Sequence, residues 1–296
     1  MTEERERAAG FEPQTLMGAH VSVAGGVQEA FDRGLQIGAT AVQIFLKNAS
    51  QWKARPYSEE TIAGFKRNWS GCPSIPVVAA HDSYLINLAA PDSLILSKSR
   101  EALRDEVERA EQLGVPYLVI HPGSHVGEGE EPGLARIAQS LNTLHAETRG
   151  YRTQVCLEVT AGQGTNLGYR LEHLRQILDQ VSEQERLGIC IDTCHIFAAG
   201  YDFRTPETYD QTFGRVKNLF GVAKIKLFHT NDSRKGLGSR VDRHAHIGQG
   251  ELGLEAFRLL LRDPDFAAVP KILETPKDEV GTEDIMNLKV LRGLLT

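Results

Sequence analysis

Nine residues between positions 81 and 274 carry the side chains that divalent cations need: His81, His121, Glu158, Asp192, His195, His229, Asp242, His244 and Glu274. Five are imidazoles and four are carboxylates. That mixture suits zinc, whereas magnesium prefers oxygen ligands and water. A catalytic zinc takes about three protein ligands and keeps one position open. Nine donors therefore suit three zinc ions, with a carboxylate shared between two of them. Two pairs are local. "IDTCH" sets Asp192 and His195 three apart, so one strand end and its following loop can serve neighbouring ions. "VDRH" sets Asp242 and His244 two apart, on the same side of an extended segment. From there they can clamp one ion together with His195. This pair lies in "GSRVDRHAHIGQG" (238–250), too polar for a core and too glycine-rich for a helix. It reads as a metal-binding lid made flexible by Gly236, Gly238, Gly248 and Gly250, with Lys235, Arg240 and Arg243 at its edge facing phosphate.

Groups so far apart in the chain need a rigid frame. Eight short runs rich in apolar and β-branched residues supply it: 16–21, 40–47, 75–81, 116–121, 153–159, 188–193, 224–230 and 270–275. Segments of helical period lie between them. "SKSREALRDEVERAEQLG" (97–114) carries Leu103, Val107, Ala110 and Leu113 on one face and stops at Gly114. The stretches 166–181 and 253–263 have the same character. Strands alternating with helices indicate parallel βαβ units, and runs apolar on both faces indicate strands covered on both sides. Eight such units with no linker between them predict an α/β fold, a single-domain (β/α)8 TIM barrel. An open doubly wound sheet is the alternative. The runs end on His20, Lys47, His81, His121, Glu158, Asp192, His229 and Glu274. In a barrel these ends share the C-terminal face, where active sites lie. Burying so many titratable groups together is costly unless cations pair with them.

Composition narrows the class. The chain has 296 residues, 41% of them hydrophobic and 24% charged, with a formal net charge of −6. No window is apolar enough for a membrane span. Residues 1–14, "MTEERERAAGFEPQ", are charged, lack the apolar segment of a secretory signal and read as a solvated tail, leaving 15–296 as the domain. Cys72, Cys156, Cys190 and Cys194 read as buried reduced thiols, which points to the cytoplasm. Net negative charge argues against nucleic acid, which attracts a basic footprint. Three zinc ions reverse that locally: +6 from the metal against −4 from the ligand carboxylates leaves the site cationic, a focal attractor for phosphate.

The motifs themselves are specific. "GAHVSVAGG" (18–26), "VQIFLKN" (42–48), "HDSYLINLA" (81–89), "IHPGS" (120–124), "LEVTAGQG" (157–164), "IDTCHIFAAGYD" (191–202), "HTNDSRKGLGSRVDRHAHIGQG" (229–250) and "LETP" (273–276) occur in order. Together they resemble the endonuclease IV family of apurinic/apyrimidinic endonucleases, from about residue 16 to the C-terminus. The resemblance implies a TIM barrel with a trinuclear zinc centre. It assigns His81, His121 and Glu158 to one zinc, Glu158, Asp192, His229 and Glu274 to a second, and His195, Asp242 and His244 to the third. It implies hydrolysis of the phosphodiester 5′ to an abasic site in double-stranded DNA, leaving a 3′-hydroxyl and a 5′-deoxyribose phosphate, and removal of blocks from 3′ ends. Glu158, Glu274 and His195 would act in catalysis, with Glu274 orienting or deprotonating the attacking water. A monomer without an obligate protein partner is expected.

Recognition of the lesion is expected from DNA bending and extrusion of the damaged nucleotide. Tyr84 and Leu85 resemble family residues that fill the gap in the base stack. Ser50, Trp52, Arg240 and Arg243 would contact DNA, and His20 would face phosphate or stand behind the ligands. Three departures from the family pattern stand out. Val159 replaces a common Asn, Thr230 replaces an aliphatic residue, and Ala49-Ser50 stands where relatives often carry a longer wedging side chain. His125, His145 and His173 read as structural, and His246 lies on the lid. Two rivals remain at this point. A two-metal sugar isomerase or epimerase of the same barrel type could use Glu158, Asp192, His229 and Glu274, but has no use for the other five donors. A DNA-binding protein with structural zinc would want a cysteine cluster.

Overall fold

The computed structural model describes residues 15–278 and 281–296, so the tail expected over 1–14 lies outside the described residues. Its strands are β1 (Met17–His20), β2 (Ala41–Phe45), β3 (Val77–His81), β4 (Tyr117–Ile120), β5 (Gln154–Glu158), β6 (Leu187–Asp192), β7 (Ile225–His229), the short pair β8 (Asp232–Ser233) and β9 (His244–Ala245), and β10 (Lys271–Leu273). All but β8 and β9 close a parallel barrel in chain order, with β1 joined to β10 through Gly18↔Ile272 and to β2 through Ala19↔Val42. Every apolar run of the sequence is one barrel strand. Ala41, Ala79, Val119, Leu227 and Ile272 fill the barrel interior, while the opposite strand faces pack on the helices.

The helices are α1 (Ala30–Gln36), α2 (Glu59–Ser70), α3 (Ser93–Leu113), α4 (Glu130–Glu147), α5 (Leu171–Gln180), α6 (Thr193–Ala198), α7 (Pro206–Phe220), α8 (Gly253–Arg262) and α9 (Thr282–Gly293). Helix α3 begins at Ser93, earlier than its apolar period suggests. Asp92 caps it there, its carboxylate accepting from Ile95 N at 2.9 Å. The helix stops where expected, on Gly114 in the left-handed region at φ +80°. Among the described residues, no helix is long and apolar enough to cross a membrane. All four cysteines are free and buried.

Register and alternation set the rim. Asp192 pairs directly with His229. His81, Glu158, Asp192 and His229 each stand two residues beyond an interior residue of the same strand, Ala79, Cys156, Cys190 and Leu227, so all four face the barrel axis. Lys47 does not join them. Its side chain is buried outside the barrel against α3, with Nζ 3.0 Å from Asp105 and 3.4 Å from Glu106, and it donates to Trp52 O at 3.3 Å. Arg109 completes this anchor, donating to Asp105 at 2.9 Å and to the carbonyls of Ala54 and Arg55 at 3.1 Å. The loop after β2 is thereby tied to the barrel wall.

Burial pushes the Glu106 carboxyl up to about 7 despite Lys47 and Arg109, with Asp105 adding to the rise. Its folded value exceeds its unfolded one, so the neutral form favours folding. That contribution is complete below the ordinary carboxyl range and is lost as pH rises through about 7. Glu106→Gln should therefore gain stability relative to the parent between pH 5 and pH 8, by up to about 3 kcal/mol. Urea unfolding at both pH values checks this, and an identical stability difference at both would refute it.

Candidate metal centre

Strands β3, β5, β6 and β7 end on His81, Glu158, Asp192 and His229, while His121 and Glu274 follow β4 and β10 by one residue. Glu158 is fully buried at the centre of the mouth. Its Oε2 lies 3.3 Å from His81 Nε2 and 3.2 Å from His121 Nε2. Its Oε1 lies 3.0 Å from both His229 Nδ1 and His195 Nδ1. One carboxylate thus offers one oxygen to each of two donor groups. His229 Nδ1 also approaches Glu274 Oε2 at 3.3 Å and Asp192 Oδ2 at 4.0 Å. Ligand atoms of His81, His121 and Glu158, and those of Glu158, Asp192, His229 and Glu274, all lie within 4.8 Å of one another in their groups.

The third group joins barrel to lid. His195 lies not in a loop but in the first turn of α6, because Asp192 caps that helix, accepting from His195 N at 2.8 Å. His195 Nε2 stands 3.1 Å from Asp242 Oδ2, and His244 Nε2 stands 3.3 Å from Asp242 Oδ1. His244 Nε2 also reaches Asp192 Oδ2 at 3.5 Å, so Asp192 borders both this group and the central one.

The lid is fastened rather than loose. Asp232, fully buried, accepts four backbone N–H groups: Ser233 at 2.7 Å, Gly248 at 2.9 Å, and Gly250 and Leu252 at 3.0 Å. The expectation that glycines make the lid flexible is corrected at two of them. A Cβ on Gly250 would lie 2.3 Å from Ser233 O and 2.4 Å from Asp232 Oδ1, and Gly248 adopts φ +76°. These glycines let the backbone close on Asp232. The lid tip rests on its neighbours as well, with Arg240 N donating to Ala198 O at 2.9 Å and Asp242 N to Gln163 Oε1 at 3.1 Å.

Attraction within the cluster overcomes desolvation. Burial would raise Glu158, but His229, His121 and His195 hold it well below the usual carboxylate range. Glu274 behaves likewise: burial is outweighed by His229, His20 and His81. Burial also opposes the charge on Asp242, yet His195 and His244 bring it down to about 2. Burial would lower His195, but Asp192, Asp242 and Glu158 raise it well above an ordinary imidazole.

These donors fit small divalent cations. Two ligands of one tetrahedral zinc are separated by about 3.3 Å, given zinc–nitrogen and zinc–oxygen bonds of about 2.0–2.2 Å. The N···O separations between Nε2 atoms and carboxylates are 3.1–3.5 Å. Among the described residues, the buried Nε2 atoms of His195 and His244 find no hydrogen-bond partner although carboxylate oxygens face them, as expected of atoms aimed at a common point. The tautomers agree: His81, His195 and His244 each spend Nδ1 on a backbone carbonyl, of Asp82 at 3.0 Å, Val159 at 3.1 Å and Glu274 at 3.0 Å.

Comparison with known proteins bears on this geometry. Residues 31–292 match the family model of the xylose isomerase-like TIM barrel. The chain is 55% identical over 278 residues to a probable endonuclease 4 of Chloroflexus aggregans, covering 94% of this chain and 97% of that one. It is 35% identical to endonuclease IV from Thermus thermophilus, whose crystal structure superposes with a TM-score of 0.83 over 94% of this chain and 98% of that one. The chain belongs to the endonuclease IV family.

Within this endonuclease IV family chain, the other residues singled out by sequence fall in several places. Tyr84 is 71% exposed at the mouth, edge-on to Phe45 with ring centroids 5.5 Å apart, and Leu85 beside it is half-buried. Ser50 is exposed, and Trp52 is half-buried against the core. Arg243 is exposed, while the Arg240 guanidinium lies 4.3 Å over the Tyr169 ring. His20 lines a cavity of about 600 Å3 together with Val21, Ser22, Phe45, Ala49, Tyr84, His244 and Glu274. Burial holds its imidazole below the ordinary value. His173 pairs with Glu130 at 3.2 Å, and His246 Nδ1 meets the Asn287 amide at 3.1 Å.

Two buried residues of the endonuclease IV family chain escaped sequence reasoning. Besides Asp232, Asn231 donates to Asp192 Oδ2 at 2.7 Å and accepts from Glu274 N at 2.7 Å, so it holds two of the donors. The signal that could have found them was "HTND" itself, three polar residues directly after a strand-end histidine.

Proposed function

We propose that the chain is a zinc-dependent apurinic/apyrimidinic endonuclease of base-excision repair. It hydrolyses the phosphodiester 5′ to an abasic site in duplex DNA, leaving a 3′-hydroxyl and a 5′-deoxyribose phosphate, and it clears blocked 3′ ends by the same chemistry. The carrying observation is that nine imidazole and carboxylate donors form three contiguous groups at one barrel mouth. Relatives named endonuclease 4 and endonuclease IV support the reading. The domain responsible is 15–296, acting as a monomer in the cytoplasm. Four free buried thiols suit that reducing compartment.

His81, His121 and Glu158 would hold one zinc, Glu158, Asp192, His229 and Glu274 a second, and His195, Asp242 and His244 the third. Bound there, zinc lowers the pKa of water and neutralises charge on the phosphate. The protein supplies position. Glu274, ionised and open to the cavity beside His20, orients the attacking water, whose proton passes to solvent. His195, Asp242 and His244 would stand on the side of the departing 3′ oxygen, which takes up a proton from solvent as its bond to phosphorus breaks. Tyr84 and Leu85 project where the base stack is interrupted, and Ser50, Trp52, Arg240 and Arg243 flank the phosphate path. The cavity walled by Phe45 and Ala49 receives the extruded sugar.

A duplex carrying one abasic site tests this. Zinc-loaded protein should nick it on the 5′ side, a strong chelator should stop the reaction, and added zinc should restore it. An intact duplex, or nicking indifferent to chelator, overturns the proposal. Conversion of a ketose by the same preparation would point to the sugar isomerase, which needs only Glu158, Asp192, His229 and Glu274.

A further inference from the structure

His229 presents the opposite ring nitrogen from its neighbours. His81 and His244 turn Nδ1 to a backbone carbonyl, and His195 shares its Nδ1 between the Val159 carbonyl and Glu158, whereas His229 has no carbonyl at Nδ1 among the described residues and turns it inward, toward Glu158 and Glu274. Its Nε2 meets instead the side chain of Gln43, donating to Oε1 at 2.8 Å. Gln43 lies in the middle of β2, fully buried between Val42 and Ile44. Its Nε2 donates to Glu274 Oε1 at 2.7 Å and approaches His20 Nδ1 at 3.0 Å.

Only one orientation of this amide works. The oxygen must face the His229 N–H, and the two N–H groups must face the Glu274 carboxylate and an unprotonated His20 Nδ1. A flipped amide would set N–H against N–H and oxygen against carboxylate. The amide therefore consumes the outer atom of each of two donors, Nε2 of His229 and Oε1 of Glu274. What remains facing Glu158 and Asp192 is His229 Nδ1 and Glu274 Oε2.

We infer that Gln43 is a positioning residue of the central group, fixing which atoms His229 and Glu274 offer to the cation there. The inference rests on the reading of Glu158, Asp192, His229 and Glu274 as cation ligands. Gln43 touches neither substrate nor ion; it acts through its two partners. Residues behind metal ligands typically contribute about 10- to 100-fold in metal affinity.

Zinc titration against a chromophoric chelator tests it without recourse to cleavage. Gln43→Met, close in volume but without donor or acceptor, should bind one of three zinc ions about 10- to 100-fold more weakly and leave the other two unchanged. Gln43→Glu keeps an acceptor for His229 but sets a second carboxylate oxygen against Glu274, and should also weaken one ion. Three unchanged affinities in either variant overturn the inference. Should neither variant fold, nitrogen-resolved NMR of the zinc-loaded parent decides: a proton on His229 Nε2 upholds it, and a proton on Nδ1 overturns it. A parent that binds three zinc ions yet leaves abasic DNA intact removes the proposed activity but not the role of Gln43. A parent that binds no zinc removes both.

Discussion

Glu158→Gln is expected to lower cleavage of abasic DNA by about 1,000-fold, the rate equivalent of about 4 kcal/mol of lost charge stabilisation. Among the described residues, no other carboxylate at the mouth uses both oxygens so fully: Oε2 faces His81 and His121, and Oε1 faces His229 and His195. Glutamine keeps the shape but replaces one oxygen by a donor, so one of the two groups it joins must lose its shared ligand. Because Glu158 is completely buried, solvent cannot substitute for the missing oxygen. Initial rates on an abasic duplex, measured beside elemental analysis of the purified protein, check both halves. A variant within tenfold of the parent, with full zinc content, would sink the assignment.

Asp232→Asn should act from a distance. Asparagine leaves at least two of four buried backbone N–H groups without an acceptor, at about 1–3 kcal/mol each. The amides of Gly248, Gly250 and Leu252 should then exchange about 100-fold faster with deuterium, while those of β5 and β6 keep the parent's rates. Cleavage should fall with lid closure, since Asp242 and His244 ride on the segment that Asp232 holds. Unchanged exchange at those three amides would mean the lid has another anchor.

How far the sequence could be read follows from which contacts are local. The eight strands were legible because strands covered on both sides leave short, unbroken apolar runs; six donors were legible because polar residues ended those runs, and His195, Asp242 and His244 because of their spacing in "IDTCH" and "VDRH". Lys47 misled for the same reason. It closes its run in composition, but the chain leaves β2 at Phe45 and turns the side chain outward to Asp105 and Glu106 of α3. That partnership spans 58 positions and leaves no local trace. The start of α3 was missed because Asp92 sets it, and the apolar period begins only later. Gln43 and Asp232 were invisible as positioning groups, since a glutamine in a strand and an aspartate after one are ordinary until their partners arrive. The lid glycines looked like hinges because a sequence shows the missing side chain and not the oxygen that would collide with it.

Both feet of the lid stand on one spot. Ser233 pairs with His244, and the carboxylate of Asp232 grips the return strand just beyond. The excursion through 234–243 therefore begins and ends side by side. Its length can change without shifting the register of β7 or the entry of α8. Shortened to a tight turn, it would delete Asp242 and leave the seven donors on the barrel and its first α6 turn where they are. A mouth of three donor groups and a mouth of two are thus one loop deletion apart, an inheritance the barrel can gain or shed without relearning how to fold.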